Sequence, residues 1–270
     1  MKTVMFTKLF KGLSLGEIAR HLSDIGFDGV DLLIRDGHQL TPETPDGVGP
    51  AVKLFKEAGL SVPMATTDFN EANNVSERVF AACREAGIRT IRLGYYKYAG
   101  ANYRDIFDDA RRKLDGLEAL AGKTGVQLAI QLHGGTIHAS GAQTMRLLEG
   151  RDAAKISAYP DPGNQVVQDG RDDWRFTFDS LKPWLSCVGV KNGGWFAAKL
   201  NASGQREWAS DWLGLPDGMV RWDLVIAHLK ATDFNGLLTL HSHYEMPLSQ
   251  ALDQTRVDLN YIKRLIGAGA

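Results

Sequence analysis

The chain has 270 residues, 44% of them hydrophobic, which is ample for the core of one large α/β domain. Its 31 basic and 32 acidic residues nearly cancel, so a nucleic-acid backbone is excluded as the main partner. No stretch approaches the roughly 20 apolar residues of a spanning helix, and Lys8 and Lys11 interrupt the signal-like start MKTVMFTKLFKGLSL, so a cytoplasmic protein without membrane contact is expected.

In chain order, a first strand is expected at 3–6 and a helix at 14–24. Ser14 caps that helix, and Glu17 three residues on completes a capping box. A recurring phrase follows, a helix ending in Gly and running at once into a strand: SDIG-FDGVDLLI, KEAG-LSVPMAT, REAG-IRTIRLG and GKTG-VQLAIQL. Glycine just past a helix adopts the left-handed cap that other residues resist sterically. Strands are therefore expected at 28–34, 60–66, 88–94 and 126–132, with helices at 46–58, 72–86 and 104–123 between them. The alternation continues with a helix at 141–149, a strand at 155–160, a helix at 172–183, a strand at 186–191, a helix at 221–231, a strand at 237–241 and a helix at 248–266. Eight strands alternating with eight helices specify a (β/α)8 TIM barrel, a single domain over 1–270. No Gly-x-Gly-x-x-Gly follows the first strand, which removes the phosphate cradle of a dinucleotide-binding sheet. Cys83 and Cys187, far apart in core-like sequence, read as buried small hydrophobes in a reducing compartment.

Four of the apolar runs end in groups that need protons, metals or hydrogen-bonding partners: Gln131 and His133, Asp161 and Asn164, Lys191 and Asn192, and His241 to Glu245. Parallel strands that all finish this way point to an active site at the barrel mouth. Strand alternation puts Gln131 and His133 on one face, Gly189 and Lys191 on one face, and His241 and His243 on one face. Arg92, Asp31 and Arg35 face the mouth as well, because the outer face of such strands packs on helices. His138, His21, His38 and His228 read as surface residues. Between Lys191 and the helix near Arg221 runs a connection holding Trp195, Trp208 and Trp212, three of the six tryptophans. Long connections of this kind are usually functional, and indole faces suit the apolar C–H faces of sugars. This loop, 192–219, is expected as a lid or wall, and Tyr95, Tyr96 and Tyr98 as lining of the same mouth.

The motifs GFDGVDLLIRDG, LAIQLHGGT, YPDPGNQV, VGVKNGGW, LGLPDGMVRWDLVIAHLK and FNGLLTLHSHYE, in this order over the whole chain, resemble the sugar phosphate isomerase/epimerase group of the xylose-isomerase-like TIM-barrel superfamily. The resemblance implies a barrel whose relatives often bind one divalent metal and move protons beside a sugar carbonyl. Common members place Glu on the fifth strand, Asp on the sixth, His on the seventh and Glu on the eighth. Here the matching positions are Gln131, Asp161, Gly189 and His241, so one ligand survives in kind. Two outcomes are chemically open. Gln131, His133, Asp161 and His241 can be a ligand set for one divalent metal (Mn, Mg, Zn or Co). Alternatively the site is metal-free and Lys191 supplies the positive charge.

The expected reaction is proton transfer next to a carbonyl in a sugar, keto-sugar or cyclitol, an isomerase or epimerase reaction. His133, Lys191, His241 and Glu245 are the catalytic candidates, and Arg92, Asn164, Trp195 and His243 the substrate-binding ones. A lyase or hydrolase of modified glycosides, or a non-catalytic carbohydrate-binding barrel, are the alternatives. The partner is a small carbohydrate, and a homodimer through exposed loop aromatics is also expected.

Overall fold

Each expected apolar run forms a parallel strand: β1 Lys2–Phe6, β2 Gly29–Leu33, β3 Ser61–Thr66, β4 Thr90–Arg92, β5 Gln127–Gln131, β6 Ile156–Tyr159, β7 Cys187–Val190 and, as the eighth barrel strand, β10 Leu237–Leu240. The computed structural model describes residues 1–98, 102–168 and 173–267. The strands pair in the order β6-β5-β4-β3-β2-β1-β10-β7. The seam between β6 and β7 is held by the Ser186 amide on the Ala158 carbonyl (3.3 Å) and the Gly189 amide on the Pro160 carbonyl (2.9 Å), which brings the sheet close to a closed barrel. The fold is a single α/β TIM barrel, as the alternation of the sequence requires.

The helices between the strands are α1 Leu15–Ile25, α2 Val48–Glu57, α3 Asn74–Glu85, α4 Tyr103–Thr124, α5 Gly141–Leu148, α6 Pro162–Val167, α7 Trp174–Leu181, α8 Trp222–Ala231 and α9 Leu248–Gly267. Ser14 and Glu17 form the expected capping box, and the four glycines of the repeated phrase, Gly26, Gly59, Gly87 and Gly125, all have positive φ. The expected start of the 172–183 helix at 172 lies outside the described residues. Among those described, no helix is long and apolar enough to cross a membrane.

Two elements were not legible in the sequence. Helix α6 has only one and a half turns and begins on Asp161, whose carboxylate caps it by accepting from the Asn164 amide at 2.9 Å. The 192–219 connection is not an irregular loop either. It contains an antiparallel hairpin, β8 Asn192–Leu200 with β9 Arg206–Leu213, closed by a turn in which the Asn201 side chain accepts from the Ser203 and Gln205 amides. The outer half of this hairpin stands away from the barrel and exposes Phe196, Leu200 and Trp208.

The apolar core lies mostly between the outer strand faces and the helices, with Phe10, Phe55, Phe80, Phe178 and Trp222 fully buried in it. Inside the barrel sits a second, small cluster of Val4, Met64, Ala129, Tyr159 and Cys187. Cys83 and Cys187 are both buried free thiols, and burial pushes each up to about 12. Side chains alternate along a strand, so the residues two positions beyond the inner cluster also face inward. They include Phe6, Thr66, Gln131 and Asp161, the layer from which the mouth is built.

Candidate active site

Fixed hydrogen bonds at the strand ends create a buried row of charge. Arg92 and the Tyr95 hydroxyl both donate to Gln131 Oε1, the latter at 3.0 Å, while Arg92 also donates to the Tyr95 oxygen at 2.7 Å. An amide whose oxygen is held this way must turn its NH2 the other way. Gln131 Nε2 accordingly donates to Asp161 Oδ2 at 2.7 Å. The same oxygen receives Lys191 Nζ at 3.1 Å, and both partners of this ion pair are buried, Lys191 at 5% and Asp161 at 0% exposure. Burial lowers the Lys191 pKa, and the charge of Asp161 opposes that shift.

Imidazoles flank this row. Beyond β5, His133 Nδ1 bonds the Gly134 carbonyl at 2.8 Å, so Nδ1 carries the proton and Nε2 accepts from the Gln168 amide at 3.2 Å. Its ring lies 4.4 Å from that of Tyr95. Beyond β10, His241 shares a 2.8 Å hydrogen bond with the Tyr159 hydroxyl and packs 4.9 Å from Phe6. His243 stacks on Trp212 at 5.4 Å, and Lys191 Nζ sits 4.8 Å over the same indole. All three imidazoles are held below the ordinary range, first by burial, with the Lys191 cation contributing to each. They are neutral at physiological pH.

Of the expected candidates, Gln131, Asp161, Lys191 and Arg92 therefore form one network, with His133, His241 and His243 around it. Glu245 is exposed at the rim of a cavity of about 260 Å3 that it shares with Lys8, Trp212, His241 and His243. Asn164 turns its NH2 to the Leu132 carbonyl at 2.8 Å, leaving its buried Oδ1 without a partner. Trp195 ties the hairpin to α6 through a 2.7 Å bond to the Val166 carbonyl, whereas Trp212 reaches the charged row and Trp208 points to solvent. A second cavity, of about 660 Å3, opens beside Tyr95 and is lined by Arg35, Asp68 and Tyr96 among others; Arg35 pairs with Asp68 there. His138 corrects a sequence expectation. It is fully buried, bonded to the Gln131 carbonyl at 3.0 Å and the Tyr96 amide at 3.2 Å, and held neutral by burial, with its pKa lowered to about 3. It braces the HGGT loop from inside. Tyr159, the partner of His241, is not among the sequence candidates, although it precedes Asp161 by two residues and so shares its face.

The four residues of the expected metal set are each engaged by other groups. Among the described residues no three His, Cys, Asp or Glu side chains converge as metal ligands. Asp161 is engaged by Lys191, Gln131 presents its NH2 rather than its oxygen, and His133 and His241 are bonded to Gln168 and Tyr159. These donors do not fit a divalent ion.

Beneath the mouth, Asp31 is completely buried. Its Oδ1 accepts from Thr66 at 2.8 Å and its Oδ2 has no partner. Burial raises its pKa from 3.8 to about 6, against the pull of Arg92. A carboxyl raised on folding lowers stability where it is ionised, so the cost is full above about pH 6 and disappears as the pH falls through 4. Asp31→Asn is expected to stabilise the protein by about 2 kcal/mol at pH 7.5, with the gain vanishing near pH 4. Urea unfolding at both pH values checks this. A less stable variant at pH 7.5 would show that Arg92 depends on the Asp31 charge.

A family model described as xylose isomerase-like TIM barrel matches residues 19–265 of the chain. The chain belongs to the xylose isomerase-like TIM-barrel family. Solved structures agree on the fold. A member of this family from Mycobacterium smegmatis, in complex with magnesium, has a TM-score of 0.72 at 14% identity, covering 98% of both chains. The 3-keto-D-glucoside 4-epimerase of E. coli gives 0.71 at 15%, covering 97% of this chain and 99% of its own. A D-allulose 3-epimerase from Methylomonas sp. gives 0.73 at 14%, covering 98% of each. No curated protein matches the chain by sequence. At these identities the likeness establishes the fold of this family member and leaves its reaction to its own residues.

Proposed function

We propose that the chain is an isomerase or epimerase that moves a proton next to the carbonyl of a sugar or keto-sugar. The observation that carries this reading is a buried ammonium, Lys191, with neutral imidazoles on either side of it. His133 follows β5 and His241 follows β10. Asp161 and Lys191, just past the ends of β6 and β7, lie between them around the barrel. Removing a proton from carbon requires a neutral or anionic base and a positive group at the oxygen where charge develops. Lys191 suits the second role because Asp161 holds it in place and because burial strengthens its field. To act as bases, His133 Nε2 would exchange the Gln168 amide, and His241 Nε2 the Tyr159 hydroxyl, for the substrate; two such bases suit removal on one face and return on another. In this reading the unpartnered Asn164 Oδ1 is the acceptor for a substrate hydroxyl, and Trp212 the apolar wall beside the ammonium. Of these groups, His241 and Trp212 line the cavity of about 260 Å3, which suits a monosaccharide, and Lys191 meets it through the Trp212 indole. The epimerases among its structural neighbours act on such sugars, in keeping with this reading.

The test is deuterium uptake. Ketoses and 3-keto-sugars are incubated with the protein in D2O and the carbon-bound label is read by NMR. Label at the carbon beside the carbonyl, with an isomeric product, is the expected result. An unsaturated product would assign a lyase, and saturable sugar binding without exchange would assign a binding barrel; either outcome defeats the proposal.

A further inference from the structure

We infer that Lys191 is a tethered replacement for the divalent cation, so that this barrel keeps its positive charge on its own chain. Three features of the site have the ammonium as their common explanation. Asp161, the one acid retained at its expected position, spends Oδ2 on Lys191 Nζ at 3.1 Å. Gly189 has no side chain where a metal-binding imidazole is expected, and that space is filled: a Cβ there would lie 2.6 Å from Asp161 Oδ2. The carboxylate lies against the bare backbone. Gly163, in the first turn of α6, opens the path for the lysine itself, since a Cβ there would lie 2.5 Å from Lys191 Cγ. A lysine stem threaded past one glycine, onto a carboxylate seated against another, is a built arrangement.

Charge makes the exclusion two-sided. Arg92 fixes Gln131 with its NH2 toward Asp161, so a second cation faces the same row from the β4 side. A divalent ion entering here would have to expel the ammonium from Asp161 and reverse the Gln131 amide against Arg92. With one carboxylate among its donors it would gain little in return. The inference concerns what occupies the seat and stands whichever carbonyl reaction the barrel performs.

The experiment combines metal content with lysine reactivity on the full chain. Protein produced in Mn2+-supplemented medium is assayed by elemental analysis and titrated with Mn2+ and Mg2+ by calorimetry. Separately, Lys191 acetylation by a water-soluble reagent is followed by mass spectrometry with and without millimolar Mn2+. We expect no stoichiometric metal in the wild type and no change in Lys191 labelling on adding Mn2+. Asp161→Asn, which releases the ammonium, should raise Lys191 labelling about tenfold, the loss of roughly 1.4 kcal/mol of protection. Metal that binds equally to wild type and Asp161→Asn sits elsewhere and agrees with the inference. One equivalent of metal, lost in Asp161→Asn and accompanied by increased Lys191 labelling in the wild type, would overturn it. So would Lys191 labelling that Asp161→Asn leaves unchanged.

Discussion

Replacing Lys191 with Met is expected to lower solvent exchange into substrate by about 10²–10³-fold, the usual cost of losing one preorganised stabiliser of a developing oxyanion. The same change strands the Asp161 carboxylate in the interior, because the lysine is its one ion-pair partner among the described residues and is 5% exposed. Breaking a buried pair from one side costs roughly 3–5 kcal/mol, whereas removing both charges costs much less. The pair of variants therefore separates chemistry from folding. Lys191→Met alone should melt well below the wild type, and Lys191→Met with Asp161→Asn should recover part of that stability without recovering exchange. Kinetics and thermal melts on the single and double variants decide it. A double variant that regains exchange with its stability would show that Lys191 only supports the fold.

The second large effect is structural. Asn192, 1% exposed, follows Lys191 and joins the hairpin to the loop before α8 with four hydrogen bonds. Its Nδ2 donates to the Leu215 and Val220 carbonyls at 2.8 and 3.0 Å, and its Oδ1 accepts from the Gly193 and Val220 amides at 2.9 and 2.8 Å. Gly218 leaves the space this amide fills, because a Cβ there would collide with the Asn192 carboxamide. Asn192→Ala leaves buried carbonyls and amides unpaired at about 1–3 kcal/mol each. With partial rehydration the expected loss is about 3–4 kcal/mol, or roughly 10 °C in melting temperature for a chain of this size. Calorimetry measures it. A shift below about 2 °C would mean that water takes over the clamp.

How much of this was legible before the fold was known depends on the range of the interactions involved. The strands, most of the helices and the barrel follow from local rules. Gly26, Gly59, Gly87 and Gly125 mark helix ends by backbone geometry alone, Ser14 and Glu17 cap α1 by contacts three residues apart, and alternation along the strands pairs Gln131 with His133 and Gly189 with Lys191 on one face each, while Asp161 marks the end of its own apolar run. The set of polar strand ends was therefore visible in the chain. Its members' partners were not. His138 read as surface because nothing near it in sequence announces the Gln131 carbonyl and Tyr96 amide that enclose it. The hairpin Asn192–Leu213 read as a loop because its strands pair mostly with each other, and their outer half lacks the buried alternation that marks a strand.

By itself the sequence determined that this is an eight-stranded family barrel with an altered set of groups at its mouth, since periodicity and residue type are local properties. Whether Asp161 holds a metal or a lysine was a question of distance between β6 and β7. Residues 30 apart in sequence met at 3.1 Å only because the barrel closes and because Gly163 and Gly189 leave room for them. That choice belongs to tertiary packing, in which the absence of two side chains places a charge.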